Sequence, residues 1–563
     1  MVPICMIIGF FYSCEPEEKG DTIYPKLMSS IPADKSVDVL VGTEIKLQFT
    51  EKINISAASQ IKLNNVVVAA VVKYRELTLE STLLPGTTYE LLIPGNTIYD
   101  DAGNFAEEIL INFTTVTTPV LEGGLYEAEL ATLSDGASIA NSQSGFSGTG
   151  YVSSGNGNLT FNVNIETSGF YNLGIRFSNS NSKKVNDLYV DGVRLSSLTF
   201  GATTAWNTLD AGFLKLEKGA HSISLVYGWG WTNYDFILIK YEPNGTGNFN
   251  IDPNLVTPNP SVQAIKVFNF LKENFGTKVL SGAAPAHSTN INEATWVFNQ
   301  TGKWPAITCF DFIDHTNPNQ NWVKYSAPFT LGQEWWNNKG LVALMWHWRD
   351  PLTKSGSMYT AETTFDLSRI SDTTSSEYKS MIIDIDVISG YLKQFKDANI
   401  PVLWRPLHEA SGAWFWWGAK GPENCKKLWK LLFNRMTKVH GLNNMIWVWT
   451  TDTDESAYSW YPGDDYVDII GMDIYPGENQ HGSQYFSFNK VKSIFAGKKM
   501  ITLSECGSIP DPGLMKENGD MWSYFMPWNG DFTESDKHNG SAWWKKIFNY
   551  DFVITRDQMP DLK

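Results

Sequence analysis

Residues 401–417 read PVLWRPLHEASGAWFWW. The apolar run Pro401-Val402-Leu403-Trp404 has the length and composition of a fully buried strand. Beyond it the chain changes character at once, through polar and charged groups to Trp414, Phe415, Trp416 and Trp417. Glu409 therefore stands between the end of a strand and a cluster of aromatic rings. A carboxyl held against bulky apolar surface loses hydration of its charged form, which raises its pKa and suits it to proton donation.

Similar apolar runs recur on both sides of this one. Residues 279–282, 306–310, 341–346, 402–404, 445–449, 467–471, 500–503 and 524–526 make eight candidate strands. Helix-periodic segments lie between them, such as 382–398 and 423–440, the latter with Cys425, Leu428, Leu431, Leu432 and Met436 on one face. Eight strands alternating with helices predict a C-terminal (β/α)8 TIM barrel over residues 261–563, whose functional groups sit just past the strand ends. A second glutamate obeys that rule: Glu505 ends the seventh run, Met500-Ile501-Thr502-Leu503-Ser504-Glu505. Strands four and seven lie nearly opposite each other around a barrel mouth, so the two carboxyls can face one ligand from both sides. Two such carboxyls about 5–5.5 Å apart are the equipment for hydrolysing a glycosidic bond with retention of configuration. His347 follows the third strand and Asp473 the sixth. Asp311, Asp314 and His315, after the second, read as cleft-lining residues rather than a metal set. No catalytic metal or other cofactor for the reaction is expected.

The chain has 563 residues, enough for three or so domains. Residues 24–118 alternate in short runs separated by Pro, Gly and Asn turns, the pattern of a β-sandwich, and residues 121–243 form a second all-β region. The expected fold is thus multidomain, two N-terminal all-β sandwich domains before the barrel. Residues 244–260, rich in Pro, Asn and Gly, read as a linker. The first 20 residues form a short apolar leader ending in Phe11-Tyr12-Ser13-Cys14, followed by the acidic residues Glu15, Glu17 and Glu18. Aromatic residues make up 13% of the chain, with 22 Trp, and flat indole faces stack well on sugar rings. A formal charge of -16 and the absence of a basic run argue against nucleic acid as a partner. Cys309, Cys425 and Cys506 lack the spacing of a metal site or a disulfide framework and read as buried thiols.

Several stretches resemble known families. Trp404-Arg405-Pro406-Leu407-His408-Glu409, Trp414-Phe415-Trp416-Trp417, Met472-Asp473-Ile474-Tyr475-Pro476, Ser504-Glu505 and the segment from Trp522 to Trp528 are similar to glycoside hydrolase family 26. The resemblance implies a retaining endo-β-1,4-mannanase acting on mannan, glucomannan or galactomannan. Family members that act as mixed-linkage β-glucanases or β-1,3-xylanases keep the same glutamates, and a non-catalytic glycan-binding protein is a third reading. It further implies Glu409 as acid/base and Glu505 as nucleophile. His347, His408, Trp414, Asp473, Tyr475 and Trp522 are the implied substrate-side residues, Tyr475 positioning the nucleophile, Trp522 flooring the cleavage subsite, and Asp473 either binding substrate or orienting the nucleophile network. The family's distal arginine is missing here, since residues 506–520 hold only Lys516 as a cation.

The region 121–243 resembles carbohydrate-binding modules of family 35 or 6 through Tyr126-Glu127-Ala128-Glu129, Gly148-Thr149-Gly150-Tyr151-Val152 and Asn233-Tyr234-Asp235-Phe236. This implies a structural calcium on Glu127, Glu129 and Asp235. The turn carrying Trp229, Trp231 and Asn233 offers a sugar-stacking rim, and Trp206 reads as core. Residues 24–118 resemble bacterial immunoglobulin-like modules. The leader is similar to a lipoprotein signal, without the usual basic residue before its apolar run. It implies a secreted protein with lipidation at Cys14, membrane attachment through the lipid alone and an outer-membrane location facing outward; the other reading of the leader is an ordinary secretory signal cleaved without lipidation.

Overall fold

The computed structural model describes residues 23–563 apart from residues 40–42, 57–59, 82, 84–85, 116–122, 180–181, 244, 246, 318–322, 355 and 455. The leader, including Cys14, lies outside the described residues. The chain divides into two compact units, Met1–Leu121 and Glu122–Lys563.

The first unit is a β-sandwich. One sheet orders Leu27–Ile31, Ile45–Phe49, Glu76–Glu80 and Ala69–Lys73, and the other Ser36–Val39, Ile109–Thr115, Thr88–Ile93, Lys62–Leu63 and Val66–Val67. Strand alternation explains its core: Ile45, Leu47 and Phe49 are buried while Lys46 and Gln48 between them are not, and Leu77, Leu79, Leu91 and Phe113 complete the cluster.

The second unit opens with another sandwich. Its first sheet runs Ser138–Ala140, Tyr151–Ser153, Asn233–Tyr241, Gly169–Asn179, Thr203–Leu216, with Gly123–Glu127 also paired to Asn233–Tyr241. Its second runs Thr132–Ser134, Asn158–Ile165, Gly219–Trp229, Lys184–Val190, Val193–Phe200. The barrel comes next, with strands β1 (Val279–Ala283), β2 (Ile307–Asp311), β3 (Leu341–Trp346), β4 (Val402–Pro406), β5 (Met445–Thr451), β6 (Ile469–Ile474), β7 (Met500–Cys506) and β8 (Tyr524–Pro527). All are parallel, each pairs with its sequence neighbours, and β1 pairs with β2 and β8 to close the ring. Buried on both faces, these strands read as unbroken apolar runs, which is why each coincides with a predicted run. Outside them, the helix Ser376–Asp397 starts where the Ser375 hydroxyl accepts from the Tyr378 N–H, and it lays Met381, Ile385, Ile388, Leu392 and Phe395 on the barrel. The helix Pro422–Asn434 continues as a π-helical turn over Arg435–Val439, so the predicted helical segment is present, and it buries Cys425, Leu428, Leu432 and Met436 as expected. Cys309, Cys425 and Cys506 are free buried thiols.

Module and barrel share a core. Tyr485 and Phe486, on the barrel helix Tyr485–Ile494, belong to the module's apolar cluster alongside Leu209, Ala211 and Leu214. Polar contacts flank them: Tyr485 Oη accepts from the Lys215 N–H at 3.2 Å, Lys490 Nζ donates to the Asp210 carbonyl, and Lys215 Nζ donates to Asn518 Oδ1 at 2.9 Å. The connecting segment is pinned along the barrel. The N–H groups of Asn250 and Asp252 donate to the carbonyls of Gly497 and Lys498, both at 2.9 Å, and Thr257 Oγ1 donates to the Met445 carbonyl at 2.8 Å. Asn250 to Thr257 therefore run as an ordered strap, where the Pro/Asn/Gly-rich composition had suggested a linker.

Candidate active site

The site is built at the carboxyl ends of the barrel strands. Past Pro406, the chain turns through Leu407 and Glu409, both non-glycine residues in the left-handed region (φ 52° and 54°), and reaches a third at Ala413 (φ 57°). Each such residue costs on the order of 1 kcal/mol, so the turn needs external support. The aromatic cluster supplies it. Trp417 Nε1 donates to the His408 carbonyl at 2.9 Å and Trp416 Nε1 to the Trp348 carbonyl at 2.6 Å, and both rings are fully buried. Trp414 differs from its neighbours: it is 47% exposed and its Nε1 donates to Glu409 Oε2 at 3.0 Å. The indole packs against Gly412, where a Cβ would fall 1.8 Å from a ring carbon, so only glycine fits beside it. Burial, reinforced by the charge of Glu505, raises the Glu409 pKa, with Arg405 and the Trp414 hydrogen bond opposing.

Glu505, near the end of β7, receives two donors. Tyr475 Oη donates to its Oε2 at 2.6 Å, and Arg405 Nη2 donates to its Oε1. Arg405 rises from β4 with its side chain 6% exposed, and its Nη1 also pairs with Asp473 Oδ2 at 2.9 Å. Ser504 Oγ donates to the other Asp473 oxygen at 2.7 Å. A register shift between Met472 and Asp473 sets Asp473 opposite Glu505 across the β6–β7 pair, which brings the two carboxyls to one guanidinium. Burial pushes the Asp473 pKa up, with the Arg405 charge opposing and the charges of Glu505 and Glu409 adding. One carboxylate oxygen from each of Glu409, Asp473 and Glu505 lies within 4.8 Å of the others. The three acids have the spacing of a cation site, but the positive charge among them comes from Arg405.

A histidine pair completes the floor. His347, just past β3, meets Asp311 twice, N–H to Oδ1 at 3.0 Å and Nδ1 to Oδ2 at 2.6 Å, and its Nε2 lies 3.0 Å from His408 Nε2. Burial works against a His347 cation, yet the charge and hydrogen bond of Asp311 prevail and leave its pKa above the ordinary imidazole value. Burial, with the charges of His347 and Arg405, holds His408 well below it. Holding His408 uncharged lets one of the two facing imidazole nitrogens accept from the other across their 3.0 Å contact.

The model for the glycosyl hydrolase family 26 matches residues 256–558, more than half of the chain. The chain belongs to glycosyl hydrolase family 26. It is a glycoside hydrolase. The models for carbohydrate binding module (family 35) and bacterial Ig-like domain match residues 124–242 and 21–115. The mannan endo-1,4-beta-mannosidase A of Piromyces sp. is 37% identical over 450 residues, covering 77% of this chain and 72% of that protein. The crystal structure of the Podospora anserina GH26-CBM35 β-(1,4)-mannanase is similar with a TM-score of 0.54 and 34% identity, over 78% of this chain and 99% of that one. That of a β-mannanase from a symbiotic protist of the termite Reticulitermes speratus, complexed with gluco-manno-oligosaccharide, gives 0.53 and 39%, over 56% and 99%.

In this family 26 barrel the fold brings together Glu409, Glu505, His347, His408, Trp414, Asp473 and Tyr475. It does not bring Trp522 to them. Trp522 precedes β8 and so sits toward the amino end of the barrel, fully buried, edge-on to Phe488 and donating to Asp520. The aromatic at the carboxyl end of β8 is Trp528, half-buried with its ring centroid 5.9 Å from that of His347. Of the two tryptophans flanking β8, Trp528 is therefore the one that stands beside the site. Asp473, whose side chain is 3% exposed with one oxygen on Arg405 and the other on Ser504, stands in the network that orients Glu505, the second of its two expected roles. Asp311, Asp314 and His315 do not converge on one point. Asp311 holds His347, Asp314 pairs with Arg349 Nε at 3.0 Å, and His315 is wedged among Phe312, Tyr325 and Tyr391. Sequence reasoning alone assigned Arg405 no role. An arginine directly after a buried strand run, with a functional glutamate four residues on, was the available signal, because a buried guanidinium requires carboxylate partners.

In the module, Trp229 and Trp231 are 59% and 67% exposed, and Asn233 lies beside them at the start of its strand. Trp206 is not core: it is half-buried, edge-on to Tyr151 and 5.5 Å from the Arg176 guanidinium. Glu127, Glu129 and Asp235 gather around the loop Ser147–Gly150. Ser147 Oγ donates to Glu127 at 2.6 Å, the N–H groups of Ser147 and Thr149 donate to Asp235 at 2.9 Å and Glu129 at 2.6 Å, and Arg176 pairs with Asp235. Gly148 (φ +63°) passes so close that a Cβ there would lie 2.2 Å from Glu129 Oε1. Glu129 Oε2 is buried without a hydrogen-bond partner.

Proposed function

We propose that this enzyme is an endo-acting β-1,4-mannanase that hydrolyses mannan, glucomannan or galactomannan with net retention. The observation that carries the mechanism is the spacing of the Glu409 and Glu505 carboxylate oxygens, within 4.8 Å, where an inverting enzyme separates its carboxyls by about 6.5–9.5 Å. Glu505, oriented by Tyr475 and Arg405, attacks the anomeric carbon while Glu409 gives its proton to the departing glycosidic oxygen. The glycosyl ester on Glu505 then breaks as Glu409, now a carboxylate, takes a proton from water attacking the same carbon. The donors on Glu505 fix the nucleophile's angle, and the buried, raised Glu409 is suited to start protonated. The substrate reading is supported by the names of the relatives, mannan endo-1,4-beta-mannosidase and β-(1,4)-mannanase among them.

Reducing-sugar release on linear β-1,4-mannan, mixed-linkage β-glucan and β-1,3-xylan tests it. Release from mannan well above the other two is expected. Release confined to the glucan or the xylan overturns the substrate and keeps the two-glutamate chemistry.

We further propose that the family 35 module holds a structural calcium on Glu127, Glu129 and Asp235. Oxygen ligands from separated strands and the partnerless buried Glu129 Oε2 fit a hard cation. Burial and mutual repulsion raise the pKa values of Glu127 and Asp235, as expected of acids gathered without enough positive charge. Calcium added to chelator-treated protein should raise the melting temperature, because a ligand of the folded state stabilises by mass action, and Glu129→Gln should abolish the rise. An unchanged melting temperature in the wild-type chain removes the calcium assignment.

A further inference from the structure

A cavity of about 310 Å³ opens beside the catalytic acid, and two domains line it. The barrel contributes Glu409, Gly412, Trp414, Asp452 and Asp454, and the module contributes Lys183, Ser197, Thr199 and Asp210. The geometry points to a composite leaving-group subsite, in which the carbohydrate-binding module forms one wall of the catalytic cleft and holds the distal sugars of the departing chain.

Three observations lead there. First, the cavity is lined by the acid Glu409 and its indole Trp414, not by the nucleophile Glu505 or its Tyr475. The acid protonates the leaving oxygen, so the space beyond it receives the leaving-group side of the substrate. Second, the module wall is fixed in place. Lys183 Nζ pairs with Asp454 Oδ2 at 3.1 Å, Lys490 Nζ reaches the Asp210 carbonyl, and Phe486 sits in the module core. Third, the lining is mixed in the way sugar sites are: a half-exposed indole face with ammonium, hydroxyl and carboxylate groups around it. Its volume falls at the lower end of ligand pockets, roughly 300–1,000 Å³. Lys184, the residue after Lys183, has its Nζ 5.1 Å from the exposed ring of Trp229.

The inference rests on the hydrolase reading of the same cleft and adds the module to its substrate contacts. The test uses the full chain and two module variants, Thr199→Trp to fill the cavity and Lys183→Ala to remove its ammonium. Each is assayed on mannohexaose and on an aryl β-mannobioside, whose small leaving group reaches no farther than the first position past the scissile bond. Thr199→Trp should lower kcat/KM on the hexaose about tenfold while leaving the aryl substrate within about twofold, and Lys183→Ala should move the hexaose cleavage pattern in the same selective way. Equal losses on both substrates would mean a merely structural disturbance, and no loss on either would mean the cavity is a gap between domains; both overturn the inference. A wrong substrate reading shows in the wild-type chain, as cleavage of a gluco-linked hexaose instead. The variants are then compared on that hexaose and its aryl glycoside, with the same outcomes deciding.

Discussion

Glu505→Ala is expected to lower kcat on mannan by about four orders of magnitude or more, because it removes the group that bonds to the anomeric carbon and leaves only binding and electrostatics. Its melting temperature should change far less than its activity. Glu409→Ala should lose comparably on mannan yet recover much of the first step on a glycoside with a dinitrophenolate leaving group, which departs without a proton. That asymmetry separates the two roles. The pH dependence comes from the same assignment. Glu409 must be protonated for the first step and its pKa is raised, so activity should persist to higher pH than an ordinary glutamic acid allows and fall as pH rises through that raised value. In Glu409→Ala assayed on the dinitrophenyl substrate, this alkaline limb should vanish. Equal rescue of both variants, or Glu505→Ala retaining more than about a tenth of wild-type activity, overturns the assignment.

Arg405→Met is the second large expectation, and it acts on stability as well as rate. Arg405 is the cation between Asp473 and Glu505, with side-chain exposures of 6%, 3% and 6% for the three groups. Removing one member of a buried ion network leaves the others uncompensated, at a cost of about 3–5 kcal/mol. The urea midpoint should therefore fall markedly. The rate should fall too, since Glu505 loses the donor that fixes one oxygen and keeps only Tyr475. Arg405→Lys retains the charge but cannot bridge two carboxylates with a planar fork, so it should recover stability better than rate. A rate loss in Arg405→Met that disappears when activity is normalised to folded protein would reduce Arg405 to a structural residue.

The barrel was legible because parallel strands covered on both faces must be apolar along their whole length. The eight runs from 279–282 to 524–526 each coincide with a strand. Glu409 and Glu505 were legible for a related reason, as carboxyls shortly past or at the ends of such runs. Less was readable where only the third dimension decides. Trp522 and Trp528 lie on either side of β8, and which one faces the cleft depends on which end of the strand it occupies; the rule that placed the glutamates, applied there, would have chosen Trp528. Asp473 and Arg405 needed the β6–β7 register shift before their pairing made sense. Asp311, Asp314 and His315 are close in sequence but point to three different partners. Nothing in Tyr485-Phe486 distinguished two aromatics covering the module from two facing the barrel.

Those two aromatics bear on how the module can be studied apart from the enzyme. Cut out at the strap, the module would lose Tyr485 and Phe486 from its own core and expose the apolar face they cover, formed by Leu209, Ala211 and Leu214. An isolated module is therefore a damaged protein rather than a free-standing lectin, prone to self-association through that face. Weak or erratic polysaccharide binding by such a fragment would report the injury of excision. In the whole chain the same contact fixes the module's orientation on the barrel.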